Sequence, residues 1–146
     1  MKEIITNIEI SAPAEIVWAV LTDLKRFPQW NPFIQRAEGE LREGSRIRVC
    51  ADAPGLPNLT INTTLTRLIP GQEFRWIAHL VIPGLLDGEH IFEIEPLGKE
   101  RVRFIQREQL RGLLLPILWP ILDFSTRRGF EAMNKALKRR AEEGRP

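Results

Sequence analysis

The stretch PILWPILDFSTRRGFEAMNKALKRRAEE, residues 116–143, decides the fold. Charged side chains fill much of one side of this stretch and dominate its end, where the helix dipole favours cations. The pattern predicts a long amphipathic helix that stops at Gly144. Its apolar residues recur close to helical spacing, at Ile121/Leu122, Phe124, Phe130, Met133 and Leu137.

The chain before this helix is typical of a sheet. Residues Lys2 to Ser11 alternate between apolar and polar side chains, which predicts a first strand. Pro13 then begins a short helix, and the segment Asp23 to Phe33 predicts a second short helix and an irregular corner. Six further strands are predicted, at Ile34 to Leu41, Arg46 to Ala53, Leu59 to Ile69, Glu73 to Ile82, Glu89 to Pro96 and Arg101 to Leu110.

This order of elements predicts an α+β protein in which the sheet wraps around the long helix. Seven strands joined mostly by short turns form an antiparallel sheet, and a sheet of that size must twist and curl. The long helix then fills the concave side, and the space between sheet and helix is the functional space. The 146 residues are expected to form a single domain, 1–146, that is large enough to enclose a cavity.

Composition and charge exclude several classes of function. The formal net charge of +2 is too small to predict a nucleic-acid surface. Cys50 is the only cysteine, so no intramolecular disulfide is possible, which fits a reducing compartment. The first ten residues lack the apolar core of a signal peptide, and no apolar run approaches the length of a membrane span. We therefore expect a cytoplasmic protein.

Several segments of the chain resemble a known superfamily. They are Ile10–Pro13, Phe27–Phe33, Gly88–Phe92 and Gly129–Asn134. Together with Trp76 they resemble the START/Bet v-allergen-like (SRPBCC) superfamily, in its bacterial polyketide cyclase/dehydrase branch. The resemblance implies a helix-grip fold, in which a curved seven-stranded antiparallel sheet surrounds a long C-terminal helix and two short helices close one end. It also implies binding of a hydrophobic small molecule, and in a minority of members cyclisation, dehydration or hydrolysis.

Alternation places three polar side chains in this otherwise apolar space. If Phe92 faces the cavity, so does His90, and if Phe104 does, so do Gln106 and Glu108. Three roles remain open for them. His90 and Glu108 could be a mutually satisfied inward pair, could orient a ligand, or could exchange protons with a substrate as catalytic acid and base.

The remaining candidates for ligand contact are apolar side chains on the same inward faces. Large aromatic residues such as Trp30 and Trp76 can either stack on a flat ligand or simply fill the core. No spacing of histidine and cysteine matches a metal site, and no cofactor is expected. The full set of ligand-binding candidates is Phe27, Trp30, Phe33, Leu65, Trp76, Ala78, Leu80, His90, Phe92, Phe104, Gln106, Glu108, Phe130 and Met133.

The run from Gly112 to Pro120 is too apolar for an ordinary exposed connection. It predicts a hydrophobic lid over the cavity at the start of the long helix. The alternative is a transient membrane contact or a dimer contact through Leu113–Trp119, with Trp119 at the interface.

Three classes of function therefore stay open. The first is a module that binds a lipid, isoprenoid or polyketide-like molecule in the cavity. The second is a cyclase or dehydratase that uses His90 and Glu108. The third is an interaction protein in which large inward side chains leave no cavity.

Overall fold

The computed structural model describes residues 1–143. The predicted helix stop at Gly144 lies outside this part of the chain. Residues 1–143 contain three α-helices, α1 (Ala14–Thr22), α2 (Phe27–Trp30) and α3 (Leu115–Glu143), with a 3-10 turn at Leu24–Arg26 before α2. The strands are β1 (Lys2–Ile10), β2 (Ile34–Glu38), β3 (Arg46–Ala51), β4 (Leu59–Ile69), β5 (Glu73–Leu80), β6 (Leu86–Gly98) and β7 (Arg101–Arg111).

All seven strands belong to one antiparallel sheet with the order β1-β7-β6-β5-β4-β3-β2. Strands β2 to β7 form a meander, and β1 joins its far edge beside β7. Helix α3 lies along β1 and also contacts β7 and α1. The predicted helix-grip fold is confirmed: the chain has a seven-stranded antiparallel sheet, a long C-terminal helix and two short helices after the first strand.

Strand β6 is longer than the sequence predicts. It begins at Leu86, because Leu80 pairs with Leu86 across a short loop and β7 continues the pairing as far as Arg111. As a result Gly88, which the sequence places in a turn, lies inside β6 between its neighbours Ala78 and Leu110. The longer strand brings a residue without a side chain onto the inner face of the sheet.

Only part of the apolar set that the sequence predicts for the inner side of α3 faces the core. Phe130, Met133 and Leu137 are fully buried, but Ile121 and Phe124 are 38% and 53% exposed. Small residues take their place on the inner side, among them Ser125 and Gly129. At about 3.6 residues per turn, Ile121 and Phe124 lie on the side of the helix opposite Phe130. On the inner side, Gly129 lies against the ring of Phe33, which leaves no room for a Cβ atom. Glycine thus lets the helix backbone rest directly against an aromatic ring.

Candidate ligand-binding cavity

A cavity of about 140 Å³ lies between the inner face of the sheet and α3. Strands β3 to β7, the loop after β3 and the first half of α3 contribute to its wall, which is mostly apolar. Seven of the residues predicted for ligand contact lie on this wall. They are Phe33, Trp76, Ala78, Leu80, His90, Glu108 and Phe130.

The other seven predicted residues lie elsewhere. Trp30 borders a separate surface groove beside α1, together with Arg140. The rest belong to the filled interior; they are Phe27, Leu65, Phe92, Phe104, Gln106 and Met133. Aromatic packing closes that end of the hollow, because the rings of Phe74 and Phe92 stack with their centroids 4.4 Å apart. The alternation of apolar and polar residues identified correctly which face of each strand points inward. It did not show where along that face the packed interior ends and the cavity begins.

The wall also contains residues that were not among the predicted ligand contacts. Six of them are Val49, Ala51, Ile61, Thr63, Gly88 and Leu110. Five of these lie on the apolar face of their strands, so the alternating pattern could have identified them as ligand-contact candidates. Gly88 is the exception, since a glycine has no side chain whose direction a pattern could report.

Glu108 is the most unusual side chain on the wall. Its Oε2 atom is buried and has no hydrogen-bond partner within residues 1–143. Its Oε1 atom lies against Gly88, where a Cβ atom would come within 2.6 Å of it. Burial raises the pKa of Glu108 to about 8, and the negative charge of nearby Glu89 adds to the increase. At neutral pH this carboxyl group is therefore mostly protonated and can donate a hydrogen bond into the cavity.

The imidazole of His90 is held between two aromatic rings. Its centroid is 3.8 Å from that of Phe92 and 4.7 Å from that of Phe130, both in stacked geometry. Its Nε2 atom lies 2.8 Å from Oε1 of Gln106. Burial lowers the pKa of His90 to about 3 and outweighs this hydrogen bond, so the ring is neutral at physiological pH.

A buried chain of hydrogen bonds decides which ring nitrogen carries the proton. Nε2 of Gln106 donates to the backbone carbonyl of Phe130 (3.3 Å) and to Oδ1 of Asn134 (2.8 Å). Nδ2 of Asn134 in turn donates to Oγ1 of Thr6 (3.0 Å). A backbone carbonyl can only accept, so the Gln106 amide is oriented with its oxygen toward His90. Nε2–H of His90 must then be the donor, which leaves Nδ1 as an acceptor.

His90 and Glu108 face each other across neighbouring strands without forming a pair of their own. They are register partners of β6 and β7, and both lie on the cavity wall. The hydrogen bond of His90 goes to Gln106 instead. At neutral pH the cavity therefore offers a carboxylic acid that donates and an imidazole nitrogen that accepts. Such a pair suits a ligand group that can do both, for example a hydroxyl group.

Within residues 1–143, no group of three or more histidine, cysteine, aspartate or glutamate side chains is arranged to hold a metal ion. His79 lies on the opposite face of the sheet from His90 and bonds Asp87 at 2.7 Å. In the same part of the chain, no helix is both long and apolar enough to cross a membrane.

A curled antiparallel sheet around a C-terminal helix, with an apolar cavity between them, defines a helix-grip protein of the START-like class. The chain belongs to the family described as polyketide cyclase / dehydrase and lipid transport, whose sequence model matches residues 1–142. Among curated protein sequences, none gave a match.

Solved structures with the same fold come from distant relatives. A START superfamily protein from Mycobacterium smegmatis is 21% identical, with a TM-score of 0.77 over 97% of both chains. The Zhui aromatase/cyclase from Streptomyces sp. R1128 is 19% identical, with a TM-score of 0.80 over 97% of this chain and 94% of that one. Norcoclaurine synthase from Thalictrum flavum is 15% identical, with a TM-score of 0.75 over 97% and 94%. At these identities the likeness establishes the fold.

Proposed function

We propose that this protein binds a hydrophobic small molecule in the cavity, with a polar group of the ligand placed between Glu108 and His90. The observation that carries the proposal is the unpartnered Oε2 atom of Glu108 beside Gly88. A buried polar atom without a partner costs free energy, on the order of 1–3 kcal/mol. A ligand that supplies the missing hydrogen bond recovers that cost, and the apolar wall supplies the remaining attraction.

The size of the cavity limits what fits. Dry apolar cavities of about 150 Å³ accept a molecule as large as benzene. At about 140 Å³, the present cavity has room for one aromatic ring or a short isoprenoid segment. A longer lipid or polyketide chain would extend through the mouth. We therefore favour an aromatic or isoprenoid compound that carries a hydroxyl or enol group.

Native mass spectrometry of the protein purified gently from its own source, followed by solvent extraction, tests this proposal. We expect a defined apolar compound that leaves on extraction. Ala78→Phe fills the cavity from β5 and should abolish the bound mass. Ile77→Phe adds an aromatic ring at the neighbouring position, on the other face of the strand, and should retain it. An empty protein that also shows no thermal shift with fatty acids, isoprenoids or aromatics would overturn the proposal.

A second candidate is a dehydratase or cyclase that acts at the same site. The raised pKa of Glu108, about 8, favours it, because a neutral carboxylic acid can protonate a leaving hydroxyl group. In a dehydration, Glu108 would give its proton to the hydroxyl of a β-hydroxy ketone, which leaves as water. Nδ1 of His90 would take the α-proton as the carbon–carbon double bond forms, and that proton would then return to Glu108.

The low pKa of His90, about 3, makes it a weak base and is the reason that binding is preferred over catalysis. An aryl β-hydroxy ketone whose dehydration gives an ultraviolet-absorbing enone distinguishes the two functions. Turnover that Glu108→Gln abolishes while binding of the ketone persists would establish the enzyme. Binding of the ketone without any turnover would leave binding as the function.

A further inference from the structure

A surface groove of about 200 Å³ lies outside the cavity and takes no part in the binding proposed above. It lies where the end of α1, the segment that leads into α2 and the last turn of α3 meet. We call it the α1–α3 groove. None of its lining residues also lines the cavity between sheet and helix. They are Ala19, Val20, Asp23, Arg26, Trp30 and Arg140.

The charged side chains of the α1–α3 groove leave one cation without an acidic partner. Asp23 is already engaged, because its Oδ2 atom pairs with Nε of Arg26 at 3.0 Å. Nη2 of Arg140 donates instead to a neutral acceptor, Oε1 of Gln29, at 2.9 Å. Within residues 1–143, Arg140 forms no ion pair, although Glu143 follows it by one turn on α3. Most N–H donors of this guanidinium therefore remain available to an incoming group.

The helix dipole alone does not explain this arrangement. The dipole favours cations near the end of α3, and Lys138 and Arg139 lie there as well. Lys138 bonds Glu142 at 2.6 Å, and Arg139 is exposed to water. Arg140 is instead half-buried in the wall of a groove. Partial removal of a cation from water costs free energy, and a bound anion would offset that cost.

The rest of the groove supplies an aromatic ring and a small aliphatic surface. Trp30 is half-buried, and its ring packs edge-on against Phe27 with the centroids 5.3 Å apart. This contact helps to fix the indole, whose Nε1–H has no hydrogen-bond partner within residues 1–143. Ala19 and Val20 line the groove on the side of α1. The groove thus combines hydrogen-bond donors and one net positive charge with an apolar wall.

We propose that the α1–α3 groove binds a small carboxylic acid with a flat apolar body, its carboxylate on Arg140 and its body against Trp30 and Val20. A carboxylate matches the planar fork of a guanidinium and accepts two parallel hydrogen bonds from it. The apolar body covers the indole and aliphatic surface, which a bare inorganic anion would leave in contact with water. At about 200 Å³ the groove has room for one aromatic ring and its carboxylate.

Benzoate is the probe that tests this proposal on the wild-type protein. A proton–nitrogen correlation titration follows the indole N–H of Trp30 in the groove and the amide of Gly88 in the cavity wall. We expect saturable shifts at Trp30 with a Kd on the order of 1 mM, as suits a fragment of this size. Benzamide keeps the ring without the charge, and acetate keeps the charge without the ring. Each should bind at least about tenfold more weakly than benzoate.

Three variants locate the bound benzoate. Arg140→Gln should raise its Kd at least about tenfold, because the charge-assisted hydrogen bonds are lost. Arg139→Gln is the matched control, since Arg139 is the exposed neighbour on α3 and does not line the groove. Ala78→Phe fills the cavity and should leave the shifts at Trp30 unchanged. Circular dichroism verifies that all three variants are folded.

The outcomes separate the proposal from its alternatives. Loss of the Trp30 shifts in Arg140→Gln but not in Arg139→Gln supports it. Absence of saturable shifts at Trp30, or equal affinity for benzamide, overturns it. Equal weakening by Arg139→Gln would reveal only a general attraction to the basic end of α3, and shifts that Ala78→Phe abolishes would place benzoate in the cavity; both also overturn it. None of these measurements depends on a ligand in the cavity, so failure here leaves the proposed binding function untouched.

Discussion

The carboxyl group of Glu108 fills the space that a side chain at Gly88 would take on the inner face of the sheet: a Cβ atom on Gly88 would lie 2.6 Å from Oε1 of Glu108 and 3.1 Å from Cδ2 of Leu110. The absence of a side chain at one position therefore makes room for the carboxyl group at the other. This relationship explains why a glycine lies inside a long strand, where it weakens the strand itself.

Gly88→Ala should consequently displace the Glu108 carboxyl group, but it should cost less than the roughly 1–3 kcal/mol of a rigid overpacked core, because the atoms that a Cβ atom would meet are the ends of two flexible side chains. Chemical denaturation measures the change. Gly98→Ala is the control, since nothing lies within 4 Å of a Cβ atom at Gly98 on the same strand. In the double variant Gly88→Ala/Glu108→Ala the clash with the carboxyl group is gone. Additive effects of the two substitutions would contradict the direct contact.

The raised pKa of Glu108 predicts that the stability of the protein falls as the pH rises from about 4.5 to about 8. The folded protein keeps the proton up to a pKa of about 8, whereas the unfolded chain loses it near 4.5. Between these values the folded state binds more protons, so this group lowers the unfolding free energy by up to about 1.4 kcal/mol per pH unit as the pH rises. Glu108→Gln should flatten the decline that the wild type shows above pH 6.5. Glu15→Gln, at an exposed position, should leave it unchanged.

The lowered pKa of His90 predicts the opposite effect at acid pH, where the stability of the protein should rise with pH. Its pKa falls from 6.5 to about 3 on burial, so in that interval the unfolded chain binds the extra proton and stability rises with pH. The two slopes oppose each other where they overlap, from pH 4.5 to 6.5. Long-range proton–nitrogen spectra of the imidazole test the assignment directly. We expect His90 to remain neutral at pH 5 with its proton on Nε2. A normal titration of this ring near 6.5 would refute the buried environment described here.

Gln106 holds the buried hydrogen-bond chain together, so its removal takes one hydrogen bond from each of three groups. Gln106→Met should destabilise the protein by about 1–3 kcal/mol, because His90, Asn134 and the Phe130 carbonyl lose a buried bond. Gln109→Met removes an amide on the same strand that bonds Glu3 at the surface, and should cost less than about 0.5 kcal/mol.

Gln106→Glu keeps the shape but places a carboxylate beside the imidazole, which should raise the pKa of His90. Nuclear magnetic resonance measures that pKa. If Gln106→Met costs no more than Gln109→Met, or Gln106→Glu leaves the imidazole unchanged, the chain from His90 to Thr6 does not have the role given to it here.

The sequence predicted the fold well because alternation and helical spacing report which face of each element is apolar. His90 and Glu108 were placed on the inner face by that rule alone, and the structure has them there. The rule could not show which hydrogen bonds these two side chains form. The Nε2 atom of His90 bonds Gln106 rather than Glu108, and this depends on Phe130 and Asn134 of α3, which are far away in the chain.

The alternating pattern also could not show which residues of the inner face border the cavity and which fill the packed interior. Phe92, Phe104 and Gln106 share the inner face with the wall residues but lie in the filled end. Whether a ring fills space or borders it depends on the rotamers of several aromatic side chains at once. The position of Gly88 was missed for a related reason, since turn residues and strand glycines look alike in a sequence and only the pairing of β6 with both neighbours separates them.

The central claim is that the cavity binds an apolar molecule through its wall and a hydroxyl group through Glu108 and His90. The most direct test is a proton–nitrogen correlation titration of the wild-type protein with para-cresol and with para-xylene, in which a methyl group stands in place of the hydroxyl group. We expect saturable shifts of the amides of Ala78, Gly88 and Leu110 with both compounds, and a lower Kd for para-cresol. The absence of saturable shifts at these amides, or equal affinity for the two compounds, would contradict the claim.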